Sequence, residues 1–88
     1  MFILDGFKGT AVDLDFRDGD LHAVLSLLSD AARRDGFYIF VDKRISGKIQ
    51  IAMHEPWNNI LVEILAGVNF VTVVANNVIA ISLPGEKL

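Results

Sequence analysis

Val12, Leu14 and Phe16 alternate with Asp13, Asp15 and Arg17. A period of two predicts a strand with one buried and one charged face. Asp18-Gly19-Asp20 should break it. Asp18 or Asp20 can then accept hydrogen bonds from the free N–H groups of a new helix turn. Leu21, Val24, Leu25, Leu28, Ala31 and Ala32 recur at i, i+3, i+4 and i+7. That spacing predicts a helix from about Asp20 to Arg34 with one apolar stripe. Leu27 lies off the stripe, which suggests cover on more than one side. Arg33 and Arg34 oppose the negative helix end, and Gly36 suits the C′ position.

Phe37 to Val41 is a continuous β-former run, which reads as a strand buried on both faces. Asp42 to Gly47 is a polar loop with Ile45 tucked back. From Lys48 to Met53 the alternation returns, with Ile49, Ile51 and Met53 inward. Pro56 fits the first turn of a second helix. Trp57, Ile60, Leu61, Ile64 and Leu65 form its stripe, and Gly67 can end it. Phe70 to Val74 and Val78 to Ser82 read as strands joined by a tight turn through Ala75-Asn76-Asn77. The expected class is α+β, with two amphipathic helices packed between small β-sheets in the order β-α-β-β-α-β-β. The expected core is Leu14, Phe16, Leu21, Val24, Leu25, Leu28, Ile39, Ile49, Ile51, Trp57, Ile60, Leu61 and Ile64.

Composition narrows the function. The 88 residues are 52% hydrophobic and 22% charged, which excludes disorder and fits one domain. No apolar run approaches the roughly 20 residues of a membrane-spanning helix. The formal net charge of −3 lacks the basic footprint of a nucleic-acid binder. With no cysteine there is neither a disulfide nor a thiolate metal site. Met1-Phe2-Ile3-Leu4 is apolar but is interrupted by Asp5 and Lys8, so it does not read as a secretory signal. Two settings fit: a cytosolic protein, or a segment of a longer chain.

The motifs for chemistry fail on spacing. A calcium hand counted from Asp13 meets Arg17 at its third ligand position, Asp18 at its glycine and Val24 at its closing Glu. His54-Glu55 has Asn58 where a zinc protease needs its second His, and His22 stands on a different element. Ser26, Ser29, Ser46 and Ser82 lack a nucleophile elbow, and no glycine-rich phosphate loop occurs. No enzyme activity and no cofactor or metal is expected.

A family pattern does run through the chain. Gly9-x-x-Val12-Asp13-Leu14-Asp15-Phe16-Arg17-Asp18-Gly19-Asp20-Leu21-x-x-Val24-Leu25 resembles the opening of the STN module, the short N-terminal domain of secretins and of some TonB-dependent receptors. The likeness continues through Ala32, Gly36, Phe37, Ile39 and Val41-Asp42. It resumes at Ile45-x-Gly47-Lys48-Ile49, at Pro56-Trp57-Asn58-Asn59-Ile60-Leu61-x-x-Ile64-Leu65, and at Asn77-Val78-Ile79. The Pro-Trp helix start looks most like the PilQ-like secretins of type IV pilus machines. Where that family commonly reads Asp-Gln-Ala-Leu, this chain has Asn58-Asn59-Ile60-Leu61.

The resemblance implies a non-enzymatic interaction module of an outer-membrane secretin channel in the periplasm, following a leader in the full protein. Its implied partners are neighbouring secretin subunits and an inner-membrane or lipoprotein component, with no nucleic acid, no direct membrane insertion and possible homo-oligomerisation. The other implied use is a receptor signalling domain contacting an anti-sigma regulator. Residues 9–84 would form the domain, 1–8 a linker or extra edge strand, and 85–88 a C-terminal tail. Phe2, Ile3, Leu4 and Phe7 are apolar enough to add to an edge of this domain or of a neighbour. The candidate contact is an exposed strand edge on which Asp13, Asp15 and Arg17 set specificity. Equally, these charges could serve only to keep that face soluble.

Overall fold

A computed structural model describes residues 8–67 and 70–84. Residues 1–7 and the tail at 85–88 lie outside the described part, and with them nearly all of the expected linker or edge strand. The elements are β1 (Ala11–Asp20), α1 (Leu21–Arg34), β2 (Tyr38–Val41), β3 (Lys48–Pro56), α2 (Trp57–Ala66), β4 (Val71–Ala75) and β5 (Val78–Ser82). This is the expected α+β order. Two sheets form, an antiparallel β1–β3 ribbon and a three-stranded sheet ordered β2-β5-β4. Within the latter, β2 runs parallel to β5 and β4 antiparallel to it.

The β1 strand does not stop at Asp18-Gly19-Asp20. It continues opposite β3, with a register irregularity between Phe16 and Gly19. A bulge of this kind absorbs the turn-forming residues by bending the strand, without ending the pairing. Gly19 suits the bend, because a Cβ there would stand 2.8 Å from that of Phe16. Asp20 occupies the helix N-cap position but makes no side-chain capping bond. The first helical N–H, that of Leu21, instead donates to the carbonyl of Gly47 at 2.9 Å. The start of α1 is thereby tied to the loop that precedes β3.

At its other end α1 closes as expected. Gly36 has φ +82. The Phe37 N–H donates to the Ala32 carbonyl and the Gly36 N–H to that of Arg33, which together make a Schellman motif. The second helix starts one residue later than expected. Pro56 ends β3 as the N-cap residue and Trp57 opens α2. Gly67 ends α2 in ordinary right-handed geometry. The final hairpin turns on two residues, Asn76-Asn77, because Ala75 pairs with Val78. Asn76 takes the positive φ of 54 that the turn requires.

The core lies between the sheets, around the two helices. Leu14, Leu21, Val24, Leu25, Leu28, Ile39, Trp57, Ile60, Leu61 and Ile64 are buried. So are Ala31, Ala32, Ile45, Ile79 and Ile81. Phe16, Ile49 and Ile51 are only half-buried and pack against the cluster from the ribbon. A two-stranded ribbon covers its own inner face incompletely. Two further readings are corrected. In β2, Ile39 is buried but Tyr38 and Phe40 are exposed, because among the described residues helix cover lies on one face of that sheet only. Leu27 is exposed as well, so α1 is not enclosed on a second side.

Candidate partner interface

The ribbon carries the charged face that the alternation of β1 sets up. Asp13 and Asp15 point away from the core and are exposed. Across the ribbon Asp13 stands opposite His54, and Asp15 opposite Ala52. The His54 Nδ1 atom lies 3.9 Å from the Asp13 carboxylate, with both side chains in solvent. Arg17 falls within the bulge, also exposed. Asp13, Asp15 and Arg17 therefore share one polar strip but make no joint pocket. No group of three or more metal-ligating side chains converges among the described residues.

One edge of β1 pairs with β3. The other opens on a groove against α1, with a cavity volume of about 360 Å³. Val12, Leu14, Leu27 and Ala31 supply apolar lining, while Asp13, Asp30 and Arg34 bring charge to it. Of the three expected contact residues only Asp13 lines this groove. Leu27 lies off the buried stripe of α1, as the helix period places it, and its exposed side chain forms part of the groove wall instead of meeting a second covering layer. An open strand edge beside a partly apolar channel can accept an extended peptide, with main-chain bonds for affinity and flanking charges for register.

A polar junction holds the start of β1 in place, and its centre is Asp35. One carboxylate oxygen, Oδ2, accepts the Thr10 N–H at 2.7 Å and the Trp57 indole N–H at 2.8 Å. The other accepts the Thr10 hydroxyl at 3.1 Å. Beside it, the buried Asn58 accepts the Gly9 N–H at 3.0 Å, and the Trp57 N–H donates to the Thr10 carbonyl. The Phe37 ring packs at a tilt on Trp57, with centroids 5.6 Å apart. Three elements thus meet at one carboxylate: the end of α1, the start of α2 and the strand entering β1. Asp35 is held below the ordinary carboxyl range, chiefly by the Thr10 backbone N–H and then by the Trp57 indole. Partial burial opposes this shift, and the Thr10 hydroxyl adds to it.

Sequence reading missed Asp35, although a signal was present. A carboxylate just past a helix C-terminus faces the unfavourable end of the dipole, so it needs a partner elsewhere. Asn58 figures in the sequence only as a mismatch to a zinc motif and as part of the family pattern, and its buried bond to the Gly9 N–H joins positions too far apart for a short window to show.

No protein-family model matches the chain, and no curated protein sequence does. Solved structures do. The N0 domain of the type II secretin from enterotoxigenic Escherichia coli superposes with a TM-score of 0.63 at 16% identity, over 88% of this chain and 96% of that one. XcpQN012 superposes with a TM-score of 0.66 at 13% identity, over 90% of this chain. This chain spans 38% of that second, longer structure. Two sheets around two helices, in this order and over nearly the full length of a single N0 domain, give the chain the fold of a secretin N-terminal domain.

Proposed function

We propose that residues 9–84 form a non-enzymatic periplasmic interaction module of an outer-membrane secretin. The observation that carries this is the near-complete superposition on an isolated secretin N0 domain. The module works by contact with neighbouring secretin subunits and with an inner-membrane or lipoprotein component. The β1 edge that is unpaired among the described residues and its groove against α1 form the contact surface, and the Asp13, Asp15 and Arg17 strip sets specificity on the adjoining face. The Pro56-Trp57 start of α2 favours a type IV pilus machine. A receptor signalling domain is the second reading, supported by the same module resemblance. The coding sequence beyond Leu88 distinguishes the two, as a secretin channel or as a receptor plug and barrel.

Binding of the purified chain to the periplasmic part of the inner-membrane component encoded beside it tests the module. Asp13→Lys with Asp15→Lys should weaken that binding at least tenfold and reverse its salt dependence. Unchanged affinity in the double variant would remove the specificity strip. No binding to any component of the assembly would remove the module reading. Calcium and zinc titrations should give no heat and no change in melting temperature.

A further inference from the structure

The three-stranded sheet ends in two edges, β2 on one side and β4 on the other. Neither pairs with a further strand among the described residues. Natural edges are blunted by charge, proline or a bulge. These two carry none of them. The β2 strand reads YIFV, β4 reads VTVVA, and both keep an unbroken register with β5. An edge in this state is a template for another strand.

Register decides which groups each edge offers. The Tyr38 N–H donates to the Asn77 carbonyl and the Asp42 N–H to that of Ile81. Even positions of β2 therefore bond to β5, and Ile39 and Val41 turn their N–H and C=O groups to the open side. On β4 the hairpin closes at Ala75 and Val78, so Ala75, Val73 and Val71 bond to β5. Thr72 and Val74 are then the edge-directed residues. The faces match as well. Ile39, Val41 and Val74 belong to the core or pack on it, whereas Phe40 and Val73 are 61% and 58% exposed on the outward face. On both strands the edge-directed residues are thus those whose side chains face the helices. Strand pairing needs this agreement, because directly opposed residues share a face. Direction agrees too. Since β2 is parallel and β4 antiparallel to β5, a second copy in the same orientation presents β4 to β2 in the antiparallel sense.

We propose that the β2 edge of one copy pairs with the β4 edge of the next, with Phe40 opposite Val73 of the neighbouring copy. Ile39 then exchanges main-chain bonds with that copy's Val74, and Val41 with its Thr72, about four bonds in all. The Ile39 carbonyl accepts the Ser29 hydroxyl at 3.3 Å and keeps a second lone pair for the incoming N–H. Ala80 stands between Phe40 and Val73 within one sheet, so this apolar row runs on from copy to copy as one band. Beside the β2 edge, His22, Ser26, Asp30 and Arg33 of α1 line a groove with a cavity volume of about 270 Å³. Thr72 and Val74 are short enough to enter it. Two β2 edges meeting each other would instead press two such charged helix faces together. The inference rests on the secretin reading, in which like subunits adjoin. A head-to-tail contact lets one copy follow another, whereas a self-pairing edge stops at two.

The chain has no cysteine, so Phe40→Cys and Val73→Cys each place a single thiol on one edge. Across the proposed contact the two positions are directly opposed, at the separation that a disulfide spans. Equal amounts of the two variants equilibrate in a glutathione redox buffer. The heterodimer should exceed each homodimer by about tenfold or more, where random pairing gives roughly twofold. Random proportions overturn the proposal. So does a predominant Phe40→Cys homodimer, which makes two β2 edges the contact. Thr72→Pro, placed in the Val73→Cys chain, removes an N–H that faces only the open edge. It should return the heterodimer to random proportions while thermal melting stays cooperative. A preference that survives in this folded variant overturns the pairing. Binding of the wild-type chain to the inner-membrane component is measured separately, so random proportions with that binding intact remove this contact and leave the module.

Discussion

Gly9→Ala isolates the junction at the start of β1. A Cβ at this position would stand 2.3 Å from the Trp57 Nε1, 2.6 Å from its Cδ1 and 3.0 Å from the Asn58 Oδ1. None of these neighbours is the loose end of a flexible side chain. Trp57 is fully buried, packed on Phe37 and bonded to Asp35. The strand must lift, at the expense of the Gly9 and Thr10 bonds, or the indole must turn, at the expense of the core. Overpacking of this kind costs about 1–3 kcal/mol. For a domain this size, with a urea m-value of about 1 kcal/mol/M, the unfolding midpoint should fall by about 1–3 M. Trp57→Phe removes the clashing nitrogen and makes room, at its own cost in packing. In that background the penalty of Gly9→Ala should shrink, with a coupling of about 1 kcal/mol or more. Urea unfolding of the four variants, followed by far-ultraviolet circular dichroism, measures the cycle. Effects that add to within about 0.5 kcal/mol would refute the placement of Gly9 against the indole.

Acid should loosen the same junction. The Asp35 carboxyl titrates lower in the folded than in the unfolded chain, so its contribution is complete above the ordinary Asp range and is lost as pH falls through the folded value. Asp42, lowered to about 2 chiefly by the Arg44 side chain, adds a loss in the same direction. Urea midpoints between pH 7 and pH 3 should therefore fall, and Asp35→Asn should fall less steeply; parallel slopes would contradict the hydrogen-bond account. Gly36→Ala should cost about 1–2 kcal/mol, because a Cβ there meets nothing and only the left-handed backbone resists. Gly36→Asn should recover part of that loss in thermal melts, whereas equal stability of Ala and Gly would deny the Schellman geometry.

The parts of the fold legible in the sequence were those governed by local period. The α1 stripe from Leu21 to Ala32 and the stop at Gly36 need only 3.6-residue spacing and a residue at ease with positive φ. What local pattern cannot encode is which face of a strand receives cover. The run from Tyr38 to Val41 has the composition of a doubly buried strand, yet among the described residues its layer of helices lies on one side only. Asp18-Gly19-Asp20 carries turn residues, and only the pairing partner in β3 turns them into a bulge. The candidate interface was half legible. Alternation exposes Asp13 and Asp15, but the groove beside them depends on where α1 lies across the ribbon. The Asp35 junction joins positions 25 and 22 residues apart and is invisible to any short window.

The parallel pairing of β2 with β5 bears on how the chain acquires its structure. During synthesis β2 emerges early, but its hydrogen-bonding neighbour is the last strand to appear. Until then the apolar faces of two amphipathic helices and an unpaired strand have only the ribbon to cover them. Contacts this distant in sequence slow folding and lengthen exposure to aggregation. A chain that stops short of β5 therefore lacks more than one edge. Its whole second layer would have no frame, so truncation there should yield an aggregating or rapidly degraded product, not a smaller domain.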